Sequence, residues 1–148
     1  MFHKIAFLKY DYSNKKTIAY LDDGSEFFYY QKPIKIINDW CIYNGSTAEG
    51  RMTAFQKLTS TRQKPAVLIN ERSRIVFFPT LSKDSNECIW LNNRKILKTK
   101  EIDPNHTEVI FQTGFKTVFD LNRRIIENQM KRCSTFLSSL DYNQQMPL

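Results

Sequence analysis

The sequence predicts an α+β fold: a mostly antiparallel sheet built from hairpins, one short central helix and a long C-terminal helix. Three observations carry this. Short apolar runs alternate with turn residues through most of the chain. Ala48, Met52, Phe55 and Leu58 recur at helical spacing near the middle. The stretch from Asp120 to Leu140 holds no Gly or Pro and carries apolar residues three and four apart.

The strands come first. Ile5 to Leu8, Thr17 to Leu21, Phe27 to Tyr30 and Ile34 to Ile37 read as strands, the last running on through Trp40, Cys41 and Ile42. Ser13-Asn14-Lys15 and Asp22-Asp23-Gly24 are the turns; Asp-Gly supplies the positive backbone angle of a tight hairpin. Pro33 marks a strand entry or an edge. Ser46 or Thr47 caps the central helix, with Glu49 in its first turn. Ala66 to Ile69 and Arg74 to Phe78 flank the turn Asn70-Glu71-Arg72-Ser73, and their unbroken apolar runs predict burial on both faces. Further strands are predicted at Cys88 to Leu91, Lys95 to Lys100, Thr107 to Gln112 and Lys116 to Phe119, with Thr113-Gly114 turning between the last two. No repeat is evident.

The final helix is apolar over nearly half its circumference, wider than the ~100° stripe of a helix with one core contact. Two readings remain open: deep burial, or contact with a second copy through Ile126, Met130 and Leu137.

At 148 residues the chain reads as one domain over 1–148. Its start mixes Lys4 and Lys9 into an apolar run and lacks a small-residue cleavage site, unlike a signal peptide. No apolar stretch approaches the ~20 residues that span a membrane. Three widely spaced cysteines fit reduced thiols in the cytoplasm.

The net charge is +7. From Asn44 to Lys83 stand Arg51, Lys57, Arg62, Lys64, Arg72, Arg74 and Lys83 against Glu49 and Glu71, a local excess of five. Charge so concentrated points to a polyanionic partner. Ser46, Gly50, Thr53 and Lys57 lie opposite the apolar stripe of the central helix. An exposed Gly there costs about 1 kcal/mol relative to Ala. Either a phosphate strand approaches it, with Gly45 and Ser46 offering free N–H groups, or Gly50 packs against a strand. The connector Thr61-Arg62-Gln63-Lys64-Pro65 reads as a minor-groove arm or a solvated loop. Arg72 and Arg74 flank the next turn; Arg94 and Lys98 fall on one face of a later strand. Phe27, Phe28, Tyr29 and Tyr30 are core plus rim, or a platform for unpaired bases.

Catalytic signals are thin. There is no P-loop, no nucleophile elbow and no metal-ligand spacing, so no cofactor or metal is expected. Cys88 with His106 is the one conceivable nucleophile–base pair, and a buried structural thiol is the competing reading.

Gly45, Ser46, Gly50 and Arg51, then Lys64 and Pro65, then Phe77-Phe78-Pro79-Thr80, then Cys88 and Trp90 form an ordered set. It extends through Thr107-Glu108-Val109 and Glu127-Asn128-Gln129. This set resembles the ComK family of competence transcription factors over roughly residues 15–132. The resemblance implies a cytoplasmic, nucleoid-associated activator of DNA-uptake genes. It implies double-stranded A/T-rich DNA as ligand, a homodimer or dimer of dimers, RNA polymerase and a regulatory adaptor as partners, and no membrane. Longer members carry a basic C-terminal extension beyond the point where this chain reaches Leu148. Charge, helical geometry and the matched Arg51 and Lys64 together nominate Ser46, Gly50, Arg51, Lys57, Arg62, Lys64, Arg72 and Arg74 for DNA contact. A protein-interaction module pairing through the last helix is the alternative.

Overall fold

The structure is a computed structural model and describes residues 2–145. After a 3-10 turn at Phe2–Lys4, β1 (Ile5–Asp11), β2 (Lys16–Leu21) and β3 (Glu26–Tyr29) form an antiparallel meander. Helix α1 spans Pro33–Tyr43 and α2 spans Ala48–Thr59. Strands β4 (Val67–Asn70), β5 (Ile75–Pro79) and β6 (Ile89–Asn92) follow. A second 3-10 turn, Asn93–Lys95, leads into β7 (Ile96–Asp103), β8 (His106–Phe111), β9 (Lys116–Phe119) and α3 (Arg123–Gln145). The strands make a six-stranded antiparallel sheet ordered β3-β2-β1-β6-β5-β4 and a three-stranded one ordered β7-β8-β9. The α+β class and both predicted helices stand.

The six-stranded sheet is the middle layer. In β4 and β5, Leu68, Val76 and Phe78 join one core cluster while Val67, Ile69, Ile75 and Phe77 join another. Burial on both faces removes the need for polar alternation, which is why these strands read as unbroken apolar runs. Each such fully buried side chain contributes about 1.5–3 kcal/mol. Helix α1 covers one face; α3 and the smaller sheet cover the other.

Residues 34–37, predicted as a strand, belong to α1. Pro33 occupies the first helical turn, where its missing N–H costs nothing. Ile36, Ile37, Trp40 and Cys41 are buried at helical spacing. Four residues reading apolar-Lys-apolar-apolar do not separate the two periods, and Trp40-Cys41 decides for the helix.

The smaller sheet with α3 repeats the opening of the chain. Strand β2 and β8, β3 and β9, and the starts of α1 and α3 are all displaced by 90 residues (16 to 106, 26 to 116, 33 to 123). The register carries over: Ile18 opposes Phe28 as Glu108 opposes Val118. So do the turns, with Leu21 N–H to Ser25 O and Phe111 N–H to Phe115 O both at 2.8 Å. The buried Thr17 hydroxyl donates to Gln31 O at 2.5 Å, and the Thr107 hydroxyl to Leu121 O at 2.7 Å. Between 16–43 and 106–133 the only identities are Thr17/Thr107, Gly24/Gly114, Ile36/Ile126 and Asn38/Asn128. Four identities in 28 positions leave no repeat visible in the sequence. The two copies meet where Phe7 stacks on Phe111 and Lys95 pairs with Asp22 at 2.9 Å.

The broad apolar face of α3 lies inside the domain. Ile126 is fully buried, and Met130 and Leu137 pack against the same cluster. Helix α3 contacts α2, β5 and β7, so three neighbours share its wide apolar face. Of the two readings of this face, deep burial holds for Ile126, while Met130 and Leu137 are partly buried against the same cluster.

Candidate nucleic-acid interface

Helix α1 ends at Asn44, and Gly45 takes a left-handed φ of +83°. Gly45 N–H donates to Ile42 O at 3.0 Å and Ser46 N–H to Cys41 O at 2.9 Å, closing the helix with a glycine-based cap. Neither N–H is free, so these two groups are not the open donors expected there. Thr47, not Ser46, caps α2: its hydroxyl accepts from Gly50 N–H at 3.0 Å. Ala48 N–H goes to Asn38 Oδ1 at 2.9 Å.

Ser46 and Arg51 are engaged internally. The Ser46 hydroxyl accepts from Arg51 Nε at 3.2 Å, and Arg51 Nη1 reaches Glu71 Oε1 at 3.2 Å. The Arg51 side chain is only 18% exposed, so it braces α2 against the β4–β5 turn. Gly50 is exposed. A Cβ added there would meet only Thr47 Oγ1, at 3.1 Å, so no strand packs on it. Gly50, Thr53 and Lys57 form the open outer face of α2.

The connector is a clamped loop. Gln56 Nε2 donates to Arg62 O at 2.6 Å, and Gln129 Nε2 donates to Lys64 O at 2.9 Å. Lys64 has a left-handed φ of +52°, a conformation that costs a non-glycine residue energy and needs such a hold. Gln129 is 1% exposed; it also donates to Pro79 O at 2.7 Å and accepts from Arg132 Nη1 at 2.9 Å. Reasoning from charge passed over Gln56 and Gln129; a buried Gln on an otherwise apolar helix face was the available signal. The loop presents Arg62 and Lys64 beside an open groove of about 790 Å³, whose lining also includes Met52, Leu81 and Lys83.

Arg72 and Arg74 lie at the opposite end of β4. Arg72 is exposed on the turn, while Arg74 Nη1 pairs with Asp141 Oδ1 at 2.6 Å. Arg94 Nη1 donates to Ser73 O at 2.7 Å. Arg94 sits in a 3-10 turn, so it does not share a strand face with Lys98 as expected. The candidates thus divide into Lys57, Arg62 and Lys64 at one end and Arg72 and Arg74 at the other.

The aromatic run splits. Phe27 and Tyr29 pack on the core, and Phe28 and Tyr30 face outward. Cys88 Sγ is buried and donates to Leu81 O at 3.4 Å, and burial pushes its pKa up. His106 pairs instead with Asp103 at 2.8 Å and Asp120 at 3.3 Å. The hydrogen bond to Asp103 raises the His106 pKa. The pairings do not join this thiol and imidazole. Among the described residues no three His, Cys, Asp or Glu side chains converge to hold a metal, and no helix is long and apolar enough to cross a membrane.

The sequence pattern of the ComK protein family matches residues 4–145. The chain belongs to the ComK family. The competence transcription factor of Bacillus subtilis (strain 168) is 27% identical to this ComK-family chain over 128 residues, 86% of this chain and 67% of that protein. No solved structure matches it.

Proposed function

We propose that this chain is a competence transcription regulator, an activator that acts in the cytoplasm on A/T-rich promoter DNA. The observation that carries the reading is family membership across nearly the whole chain. The geometry supports a division of labour. Arg62 and Lys64, on a loop held by two buried or half-buried amides, enter the narrow minor groove, where A-tract potential favours cations. Lys57 and the small residues of the outer α2 face let a phosphate strand approach closely. Arg72 adds a phosphate contact from the far end of β4.

The first test is fluorescence anisotropy with a duplex of spaced A- and T-runs and a scrambled duplex, at several salt concentrations. Contacts from Lys57, Arg62, Lys64 and Arg72 predict a slope of about −3.6 in log K against log salt per chain. Arg62→Ala and Lys64→Ala are expected to reduce the preference for A/T runs, and Lys57→Ala to weaken both probes alike. Equal, salt-insensitive binding of both probes by the wild type would overturn the reading.

A further inference from the structure

The β4–β5 ladder stops where two prolines meet. Val67 lies opposite Phe77, and the same register carried two residues further would set Pro65 opposite Pro79. Neither proline has an N–H to donate, so the ladder cannot continue. The chain before Pro65 is irregular, with Lys64 in the left-handed region at φ +52°. Carbonyls screened from water still need a donor. For Lys64 O and Pro79 O that donor is one side chain, Gln129 of α3, at 2.9 Å and 2.7 Å.

Among the described residues of α3, Gln129 is the one buried polar side chain; Ile126, Cys133 and Phe136 on the same helix are core. Its amide nitrogen has two N–H groups, and each goes to a different segment. Pro79 is fixed by its pairing with Trp90 in the sheet. Lys64 stands on the connector between α2 and β4, outside any strand. The amide thus ties the connector to the sheet. Gln129 Oε1 accepts from Arg132 Nη1 at 2.9 Å, which sets the way the amide faces. Both tied segments line the open groove of about 790 Å³, the connector through Arg62, Lys64 and Pro65, the end of β5 through Pro79.

We propose that Gln129 is a positioning residue for DNA recognition: it touches no DNA, and by joining Lys64 to Pro79 it holds Arg62 and Lys64 in one fixed place against the minor groove. The inference rests on the DNA reading above and adds to it a residue without charge. A loose connector would keep both cations and with them its attraction to phosphates. It would lose the fixed geometry by which a narrow A/T groove is told from a wider one. Affinity for any duplex and preference among duplexes then depend on different residues. The cations set the first, and Gln129 governs the second.

The test repeats the anisotropy titration, with the A/T-run and scrambled duplexes across salt, on the full chain carrying Gln129→Met. Methionine is similar in length and has no N–H. The preference for A/T runs is expected to drop to that of Lys64→Ala. The salt slope should stay at the wild-type value, because no charge is removed, whereas Lys64→Ala lowers it by about 0.9. Gln129→Asn keeps the amide but shortens its reach by one carbon, so it cannot serve both carbonyls. Its preference should fall between those of the wild type and Gln129→Met, and it decides alone if the methionine variant folds poorly by circular dichroism. A folded variant at this position with the wild-type preference would overturn the inference and leave the DNA reading standing. Equal weakening on both duplexes, the mark of a purely structural role, would do the same. A wild type without preference would overturn the DNA reading and this inference with it.

Discussion

The two copies of the strand–strand–strand–helix unit share a backbone and differ in what they show to solvent. In the first, the outer face of the third strand holds Phe28 and Tyr30; in the second, the matching positions hold Val118 and Asp120. Lys16 lies over the Phe28 ring at 4.6 Å, whereas its counterpart His106 is held between Asp103 and Asp120. The first helix stops after 11 residues at a glycine cap; the second runs for 23. The extra length carries Phe136 into the core, where it meets Phe55 of α2 at 5.2 Å. Turn and end hydrogen bonds, which the backbone requires, are retained in both copies. Surface chemistry, which the backbone leaves free, has diverged.

The largest expected effect lies where the copies meet. Phe7 stacks on Tyr20 within its own copy and contacts Phe111 and Phe119 of the other. Phe7→Ala should cost about 3–5 kcal/mol in denaturant unfolding. A loss near 1 kcal/mol would mean that the copies hold together mainly through the helices.

The two hairpin glycines sharpen the comparison. Both have left-handed φ, +90° at Gly24 and +93° at Gly114. A Cβ at Gly24 would lie 2.8 Å from the Phe115 ring, and one at Gly114 meets nothing within 4 Å. Gly114→Ala is expected to cost about 1–2 kcal/mol of backbone strain. Gly24→Ala adds a clash with the other copy and should cost about 1–3 kcal/mol more. Equal losses would show that Phe115 moves aside freely.

The paired threonines should behave alike. Thr17→Val and Thr107→Val each leave a strand-end carbonyl without its donor, and each should cost about 1–3 kcal/mol by thermal unfolding. A tenfold disparity in the folded-to-unfolded ratio would mark one copy as the weaker half.

The smallest effect is a pH dependence confined to the second copy. Asp103 raises the His106 pKa above its ordinary 6.5. The protonated imidazole therefore favours the folded chain. That contribution is complete below the ordinary value and is lost as pH rises through the raised one. His106→Gln should flatten this part of the stability–pH curve, measured by chemical denaturation, while Lys16→Gln should not.

Much of the fold was legible in the sequence because the signals are local. The unbroken apolar runs around Asn70–Ser73 predicted strands buried on both faces, and β4 and β5 are so buried. Asp22-Asp23-Gly24 and Thr113-Gly114 marked hairpins by their need for positive φ. The stripe through Ala48, Met52, Phe55 and Leu58 placed α2 and its outer face. The candidate site was legible only in part. Lys57, Arg62 and Arg72 could be nominated from charge alone. That Arg51 was already engaged by Ser46 and Glu71 could not.

The sequence by itself determined the class of fold, the turns, the core of the central sheet and the basic segment. Periodicity and turn chemistry act over a few residues, and those are written in order along the chain. Tertiary structure decided that 34–37 is helix, that the opening unit recurs 90 residues later, and that the apolar face of α3 is used within one chain. It also decided which polar groups remain free. Ser46 and Gly45 lose their N–H groups to α1, and Lys64 is held by an amide 65 residues away. A donor's availability depends on what folds beside it, and contacts between distant segments leave no periodic trace in the sequence.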